Sequence, residues 1–525
     1  SKEEAVDHRR LGQDLDLFYF DELAPASPFF MPKGAFVYNE LIEFIRKIYR
    51  KVGYQEVITP QVLNLDLWRT SGHLQNYSEN MFFVVEGAGL DVENGEPGYA
   101  GYGLKPMNCP CHMLMFKHRK WSYRDLPLRY ADFGRLHRFE LSGSCSGLTR
   151  VRSFCQDDSH IFLATNQIEA EVKRQLDVFL ACYKFFGFKK VKIYLSTRPE
   201  KRMEGEESVW DEAESALKRA LEGHDYRLKE GDGAFYGPKI DLEVADALGR
   251  DWQLGTVQLD FLLPQRFDLG FTNASGERER PVVVHRAILG SVERFMAIYL
   301  EHVEGALPFW LAPEQAVILP IGEAHQEHAG KIAKHLAMEN LRVRVDDRNE
   351  SLSYRVRDWQ TKKIPYCIVV GDKEVEANGG ALRERGRPGL VLARDGAPVA
   401  RALSPAPGPG ARPGGLAPGR AGGPARRGAG DRGGERGPAP RALPRRAAPL
   451  RAAPARGGPA PIPPDRRAAP RGQGRRLAGL DRGLRLRAAG PGPRGRARSR
   501  ALRAQVAPGS GALARGRRPP RRGLV

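Results

Sequence analysis

Three side chains of metal-ligand type sit at or beside strand-like segments in widely separated parts of the chain. They are Cys109 in Lys105-Pro-Met-Asn-Cys-Pro-Cys-His112, His160 in Gln156-Asp-Asp-Ser-His160, and His285 in Val283-Val-His285-Arg286. Each alone also reads as plain structure: a half-buried thiol, a polar strand-end imidazole, a satisfied core imidazole. Cys109, Cys111 and His112 form a rival local set, although they stand closer together than the paired spacings of zinc ribbons and fingers. A second constellation suits anions. Arg138 and Arg150 flank the Ser/Gly-rich stretch 141–148, and Arg294 closes Gly290-Ser-Val-Glu-Arg294. Fixed guanidinium groups offer a polyphosphate several donors without a glycine cradle. Neither a Gly-x-x-x-x-Gly-Lys-Ser/Thr string nor a Gly-x-Gly-x-x-Gly fingerprint follows a strand, so a nucleotide would need another architecture. Taken singly, each arginine reads as a surface ion pair.

The elements that must position these groups follow from hydrophobic periodicity. Residues 36–51 carry Val37, Leu41, Ile45 and Ile48 at helical spacing, and 54–60 reads as a strand ended by Pro60. Segments 126–139 and 150–163 read as two strands joined by the Ser/Gly loop in a hairpin. A long helix follows with Ile168, Val172, Leu176, Phe179 and Tyr183 on one face. Strands are expected at 190–196, 234–245 and 252–263, and 281–286 feeds a helix carrying Ile288, Val292, Phe295 and Tyr299. Successive hairpin-like strands with helices outside predict an α+β fold on an antiparallel sheet. Beyond Pro313 the pattern becomes strand 315–320, helix 327–339, strand 341–345, helix 352–362, strand 366–370, which predicts a small separate α/β domain. The expected organisation is a main domain over 1–306, a linker over 307–313, the small domain over 314–386 and a tail over 387–525.

The formal charge of +20 belongs to that tail. Residues 387–525 hold 32 Arg and no Lys against 5 acidic residues, giving +27. The remainder keeps 83 − 32 = 51 basic and 63 − 5 = 58 acidic residues, so it carries −7. Net charge therefore gives no argument for nucleic-acid binding by the folded part. The tail lacks Phe, Trp, Tyr, His, Cys, Met, Lys, Asn and Thr; it cannot build a core and is expected to be disordered. An Arg-rich RNA-binding segment and a Pro/Ala linker are alternatives, but the abrupt switch to residues with G/C-rich codons predicts an out-of-frame reading of a gene. The 6 cysteines are too sparse for a disulfide scaffold and predict a reducing, cytoplasmic setting. No apolar run is long enough to span a membrane, and the charged opening is unlike a signal peptide. Opening on Ser1 rather than Met predicts a fragment with further domains upstream.

The order of the motifs carries a resemblance. The helix and strand ending at Pro60, the strand-loop-strand from Phe133-Gly-Arg-Leu-His-Arg-Phe-Glu140 to Arg150-Val-Arg-Ser-Phe-Cys-Gln-Asp-Asp158, and His285-Arg-Ala-Ile-Leu-Gly-Ser-Val-Glu-Arg294 resemble the three class II aminoacyl-tRNA synthetase motifs. Lys105-Pro-Met-Asn-Cys-Pro110, Leu195-Ser-Thr-Arg-Pro-Glu-Lys201, Gly233-Ala-Phe-Tyr-Gly-Pro-Lys239 and Gly255-Thr-Val-Gln-Leu-Asp-Phe261 are similar to the threonyl-tRNA synthetase family in particular. The resemblance spans residues 7–385. It implies a helix-flanked antiparallel sheet, a homodimer formed around Pro60, and activation of L-threonine by ATP with Mg²⁺ before transfer to threonine tRNA. Arg138 would hold the α-phosphate and the substrate carboxylate, Glu140 would read the adenine amino group, and Phe154 would stack on adenine. Arg150 and Arg294 would clamp the terminal phosphate, and Gln253 and Thr256 would contact ATP. Cys109, His160 and His285 match the family's zinc ligands. Three protein donors leave a position open for substrate, so zinc would take the threonine amino group and hydroxyl. Asp158 would accept from that hydroxyl, with Gln156, Tyr236 and Gln258 lining the pocket. Valine, lacking a hydroxyl, would be refused; serine would pass, and the family's N-terminal editing domain has no counterpart here. The resemblance further implies that His73 helps deprotonate the tRNA ribose hydroxyl and that Asn349, Arg357, Glu374 and Arg383 read the anticodon.

Some positions depart from the family. Cys111 stands where glycine is usual, Cys145 and Cys155 lie beside the ATP loop and predict an oxidation-prone site, and 87–102 is a longer insertion than expected. The tail stands where a last strand and helix of the small domain are expected, which predicts weaker tRNA charging than activation. A catalytically idle synthetase-like protein is the rival reading; retention of both the Arg set and the Cys/His set argues against it. A zinc hydrolase would need a general base beside bound water, and no His-Glu-x-x-His helix is present.

Overall fold

Asp7 caps a first helix, α1 (His8–Asp14), its carboxylate accepting the Arg9 N–H. The next, α2 (Pro32–Val52), begins earlier than the apolar pattern suggests, because Pro32 fits a first turn where the N–H is spare. It ends at Gly53, whose φ of 86° permits the left-handed cap. Val37, Leu41, Ile45 and Tyr49 form its buried face, each aliphatic side chain contributing roughly 1.5–3 kcal/mol. These elements come from a computed structural model that describes residues 6–85, 101–199, 207–234, 236–246 and 248–386, with the backbone of Val391–Arg394. The long insertion expected at 87–102 lies largely outside the described residues.

The central sheet has eight strands: β1 (Gln55–Glu56), β2 (Leu128–Asp132), β3 (Asp158–Leu163), β4 (Val191–Ser196), β5 (Tyr226–Lys229), β6 (Lys239–Ala245), β7 (Asp251–Asp260) and β8 (Val282–Ala287). Their order is β5-β4-β6-β7-β8-β3-β2-β1. Pairing is antiparallel except at the two edges, where β4/β5 and β1/β2 are parallel. Helix α3 (Cys109–Lys117) carries one of the candidate ligands, and the parallel edge strand β5 follows helix α5 (Glu207–Ala220). The amphipathic α4 (Ile168–Phe185) buries Ile168, Val172, Leu176, Phe179 and Tyr183, the face its periodicity predicts. Helix α6 (Val292–His302) starts later than expected because Ser291 caps it, accepting the Arg294 N–H at 3.0 Å.

The expected hairpin is built in two tiers. Its inner halves are β2 and β3, while Arg135–His137 pairs with Ser153–Cys155 in a ribbon of its own. The chain turns between tiers at Gly134, where a Cβ would lie 2.6 Å from Lys105 Nζ and 2.8 Å from Asn108 Oδ1. A larger residue there would have to push these side-chain ends aside.

The small domain holds β9 (Ala316–Pro320), α7 (Gln326–Met338), β10 (Val343–Val345), α8 (Leu352–Thr361), β11 (Tyr366–Val370), β12 (Gly379–Glu384) and β13 (Val391–Arg394) in the order β10-β9-β11-β12-β13. The first three strands are parallel and the last two antiparallel. This corrects the expectation that structure ends at Gly386: Val391 to Arg394 pair with Leu382 to Gly379. Composition averaged over the Arg/Pro/Gly stretch hides the short Val391-Leu392 pair that extends the sheet. Residues 395–525 lie outside the described residues. Among the described residues no helix is long and apolar enough to cross a membrane.

Candidate active site

The sheet register brings the candidate ligands together. His160 on β3 lies directly opposite His285 on β8, and His285 lies opposite Gln258 on β7. Helix α3 supplies Cys109 from above, and the donor atoms of Cys109, His160 and His285 all lie within 4.8 Å of one another. All three are buried. His160 Nε2 and His285 Nδ1 face each other at 2.9 Å, and His285 Nε2 lies 2.8 Å from Asp260 Oδ2. The Asp260 carboxylate therefore fixes the proton on His285 Nε2 and leaves Nδ1 as a lone-pair donor. Burial pushes the Cys109 thiol up and the His160 imidazole down, and a cation bound between them would draw off the thiol proton. One thiolate and two imidazoles with an open position fit zinc. The rival local set is not formed: Cys111 faces Thr59 and Lys105, and His112 stands behind His160 with Nδ1 at 2.7 Å from its Nδ1.

Asp158 shares the face of β3 with His160 and accepts from Asn108 Nδ2 at 3.0 Å. Tyr236 packs its ring 5.2 Å from that of His285 and donates to Gln258 Oε1 at 2.9 Å. Gln156 lies further out and lines the neighbouring cleft.

That cleft, about 270 Å³, is lined by Arg138, Glu140, Arg150, Phe154, Gln253, Thr256 and Arg294, every residue expected to meet ATP. Arg138 is stretched over the Phe154 ring at 5.0 Å and anchored by Nε to the Pro106 carbonyl at 3.2 Å. Arg150 lies 3.8 Å from Glu140. Arg294 has a buried Nε without a partner, and burial followed by the charge of Arg150 pulls its pKa down. Two guanidinium groups facing one space with no carboxylate for Arg294 is an arrangement that an anion completes.

Sequence reasoning missed three buried carboxylates that hold this cleft. Asp241 accepts from Gln253 Nε2 at 2.7 Å and Thr256 Oγ1 at 2.9 Å. Glu293 accepts from Tyr38 OH, Arg135 and the Cys155 N–H. Asp157 accepts the Ile288 and Leu289 N–H groups at 2.7 and 2.8 Å and pairs with the fully buried Arg286. For Asp241 the signal that could have found it is an acidic residue inside an apolar strand pattern, and for Glu293 an acidic residue in the apolar helix α6; Asp157, in the polar stretch between two strands, carries no such local signal.

His73 is fully buried, with Nδ1 2.8 Å from Ser71 Oγ and Nε2 3.1 Å from Met107 Sδ. Burial holds its pKa down to about 3, so it is neutral at physiological pH. Of the thiols expected to make the site oxidation-prone, Cys111 and Cys155 do not fit: both are buried, and burial raises both, Cys155 to about 12. Cys145 is the partly exposed one. In the small domain, Asn349 lies in the loop after β10, Arg357 is exposed on α8, and Arg383 is on β12. Glu374 spends its carboxylate on the Gly371 N–H at 2.9 Å.

Residues 83–303 match the tRNA synthetase class II core domain (G, H, P, S and T), and 315–390 match an anticodon binding domain. The threonine–tRNA ligase of Natranaerobius thermophilus is 50% identical over 381 residues, and that of Thermotoga maritima 49% over 382; each alignment covers 72% of this chain. The chain spans 58% of the length of both relatives. Among solved structures, the RNA binding domain of threonyl-tRNA synthetase from Cryptosporidium parvum is 45% identical with a TM-score of 0.71, covering 76% of this chain and 98% of that one. A threonyl-tRNA synthetase from Aeropyrum pernix is 31% identical with a TM-score of 0.63, covering 76% and 95%. With a class II core, an anticodon-binding domain and these relatives, the chain belongs to the threonyl-tRNA synthetase family.

Proposed function

We propose that the chain activates L-threonine with ATP, forming threonyl-adenylate and pyrophosphate, and transfers the threonyl group to the 3′ end of threonine tRNA. The observation that carries this is adjacency along the sheet: Thr256 of the arginine cleft stands two residues before Gln258, which pairs with His285, and Gln156 of the cleft stands two residues before Asp158 at the start of the His160 strand. Arg138 holds the α-phosphate and the threonine carboxylate, and stabilises the charge that grows as the carboxylate attacks phosphorus and pyrophosphate leaves. Arg150 and Arg294 take the terminal phosphate. Glu140 accepts from the adenine amino group, while Phe154, steadied by Arg138, stacks on the base. Gln253 and Thr256, held by Asp241, contact the nucleotide. Mg²⁺ accompanies the triphosphate and neutralises part of its charge.

Cys109, His160 and His285 would hold the zinc ion, which would supply Lewis-acid polarisation in the threonine pocket. Asp158 accepts from the threonine hydroxyl, with Tyr236 and Gln258 closing the pocket. Valine would leave the half-buried Asp158 carboxylate with the Asn108 amide but no substrate hydroxyl, and a site built around a polar group rejects such an analogue strongly. His73, buried and held neutral beside Cys109, assists transfer to the terminal tRNA ribose as a positioning group rather than as the base, and Asn349, Arg357, Glu374 and Arg383 belong to the domain that reads the anticodon.

The working unit we infer is a cytoplasmic homodimer. Ile58, 92% exposed, and Val62, 46% exposed, flank Pro60 beside the edge strand β1, an apolar patch that a second copy would cover. The test of the transfer step is an acid gel of threonine tRNA incubated with the protein, ATP, Mg²⁺ and threonine. Appearance of threonyl-tRNA is expected. Uncharged tRNA alongside accumulating threonyl-adenylate would remove the transfer step and leave activation.

A further inference from the structure

We propose that His8 is a positioning residue for nucleotide binding, suspending the turn that carries Arg150 from the far end of the helix that carries Arg294. The inference rests on the ATP reading of the cleft. The Ser/Gly loop closes as a tight turn in which Ser146 bridges to Arg150, and Thr149 N–H and Oγ1 both donate to the Ser146 carbonyl. At its tip the fully buried Leu148 points its N–H at His8 Nε2, 3.0 Å away. Nε2 must therefore be an acceptor, which puts the imidazole proton on Nδ1, 2.6 Å from Glu301 Oε1. Glu301 also accepts the His8 backbone N–H at 3.1 Å and is gripped by Arg250, itself tied to Asp246.

Glu301 lies in the last turn of α6, and Arg294 lies in its first turns. One rigid helix thus links both phosphate-type arginines: Arg294 directly, and Arg150 through Glu301, His8 and Leu148. The fit at the tip is close. Gly147 has φ +47°, and a Cβ there would lie 2.1 Å from His8 Nε2. Although Asp7, His8 and Glu301 could in principle hold a cation, the network already occupies their atoms: Arg9 forks onto Asp7, Arg250 and His8 share Glu301, and Leu148 takes the remaining ring nitrogen. The site is a bracket.

Two variants separate the halves of the ring. His8→Asn keeps a donor near Nδ1 and loses the acceptor at Nε2; His8→Gln keeps an acceptor near Nε2. A buried N–H left without its acceptor costs enough to weaken Mg·ATP binding about tenfold. Calorimetric titration with Mg·ATP should show that loss in His8→Asn, with His8→Gln within about twofold of the parent. Hydrogen exchange should show the Leu148 amide protected in the parent and His8→Gln and released in His8→Asn. Gly147→Ala, which pushes the turn off an intact His8, should weaken Mg·ATP binding similarly. Equal Kd values for the Asn and Gln variants, a protected Leu148 amide in His8→Asn, or normal ATP binding in Gly147→Ala would each overturn the proposal. These readouts need no turnover, so a parent protein that binds ATP through this anchor yet forms no adenylate would instead contradict the proposed reaction.

Discussion

Replacing Arg294 by Met should move stability and nucleotide binding in opposite directions. The guanidinium has a buried Nε without a partner and sits near Arg150, so in the nucleotide-free protein it carries desolvation and repulsion that nothing offsets. An unsatisfied buried donor costs about 1–3 kcal/mol, and Met keeps most of the aliphatic packing. Part of that cost returns as stability, so Arg294→Met should be about 1–2 kcal/mol more stable than the parent, or a few degrees in Tm for a domain this size. Against this, each hydrogen bond from a guanidinium to phosphate is worth about 1.5–3 kcal/mol. Loss of a two-pronged contact is then about 3–6 kcal/mol, or 10²–10⁴ in kcat/KM for ATP. Scanning calorimetry without nucleotide and pyrophosphate exchange at varied ATP read the two effects separately. A variant destabilised by about 1 kcal/mol or more, or one with an unchanged KM for ATP, would refute the argument that Arg294 is held in reserve for an anion.

Other perturbations test other parts. Cys109→Ser should lower zinc content and relax discrimination against valine, while Asp260→Asn, which no longer fixes the His285 tautomer, should weaken zinc about 10–100-fold; unchanged zinc in both would move the metal elsewhere. Asp157→Ala leaves the buried Arg286 uncompensated and the Ile288 and Leu289 N–H groups unpaired. It should cost about 3–5 kcal/mol in urea melts, and a loss below about 1 kcal/mol would show that Arg286 finds another partner. Ile58→Lys should shift sedimentation from dimer to monomer; a parent that sediments as a monomer would remove the proposed interface.

The legible parts of the fold were those with strong local periodicity. Val37, Leu41 and Ile45 announce α2, and the continuous apolar run at Tyr366–Val370 was read as a strand with the bounds the structure has. Helix α3 escaped because Cys109, Cys111, Met113 and Phe116 are buried on several sides, which leaves no polar face to mark a period. Strand β5 escaped because its Tyr-Arg-Leu-Lys sequence reads as surface. Residue type left rivals open for the Cys/His/His trio and the arginines, and it was the order of motifs in the family resemblance that chose among them. The site was not legible where meaning arises from pairing: nothing local to Asp157, Asp241 or His8 says that the partner is Leu289, Thr256 or Leu148. Register between strands, and contact between α1 and a loop well over a hundred residues away, create those roles.

The central claim is that this cleft activates threonine, selected by its hydroxyl. Amino-acid-dependent exchange between ATP and labelled pyrophosphate, run with zinc-replete protein against threonine, serine and valine, tests it most directly. The account predicts exchange with threonine, weaker exchange with serine, and none above background with valine. No exchange with threonine, or valine as good a substrate as threonine, would contradict it.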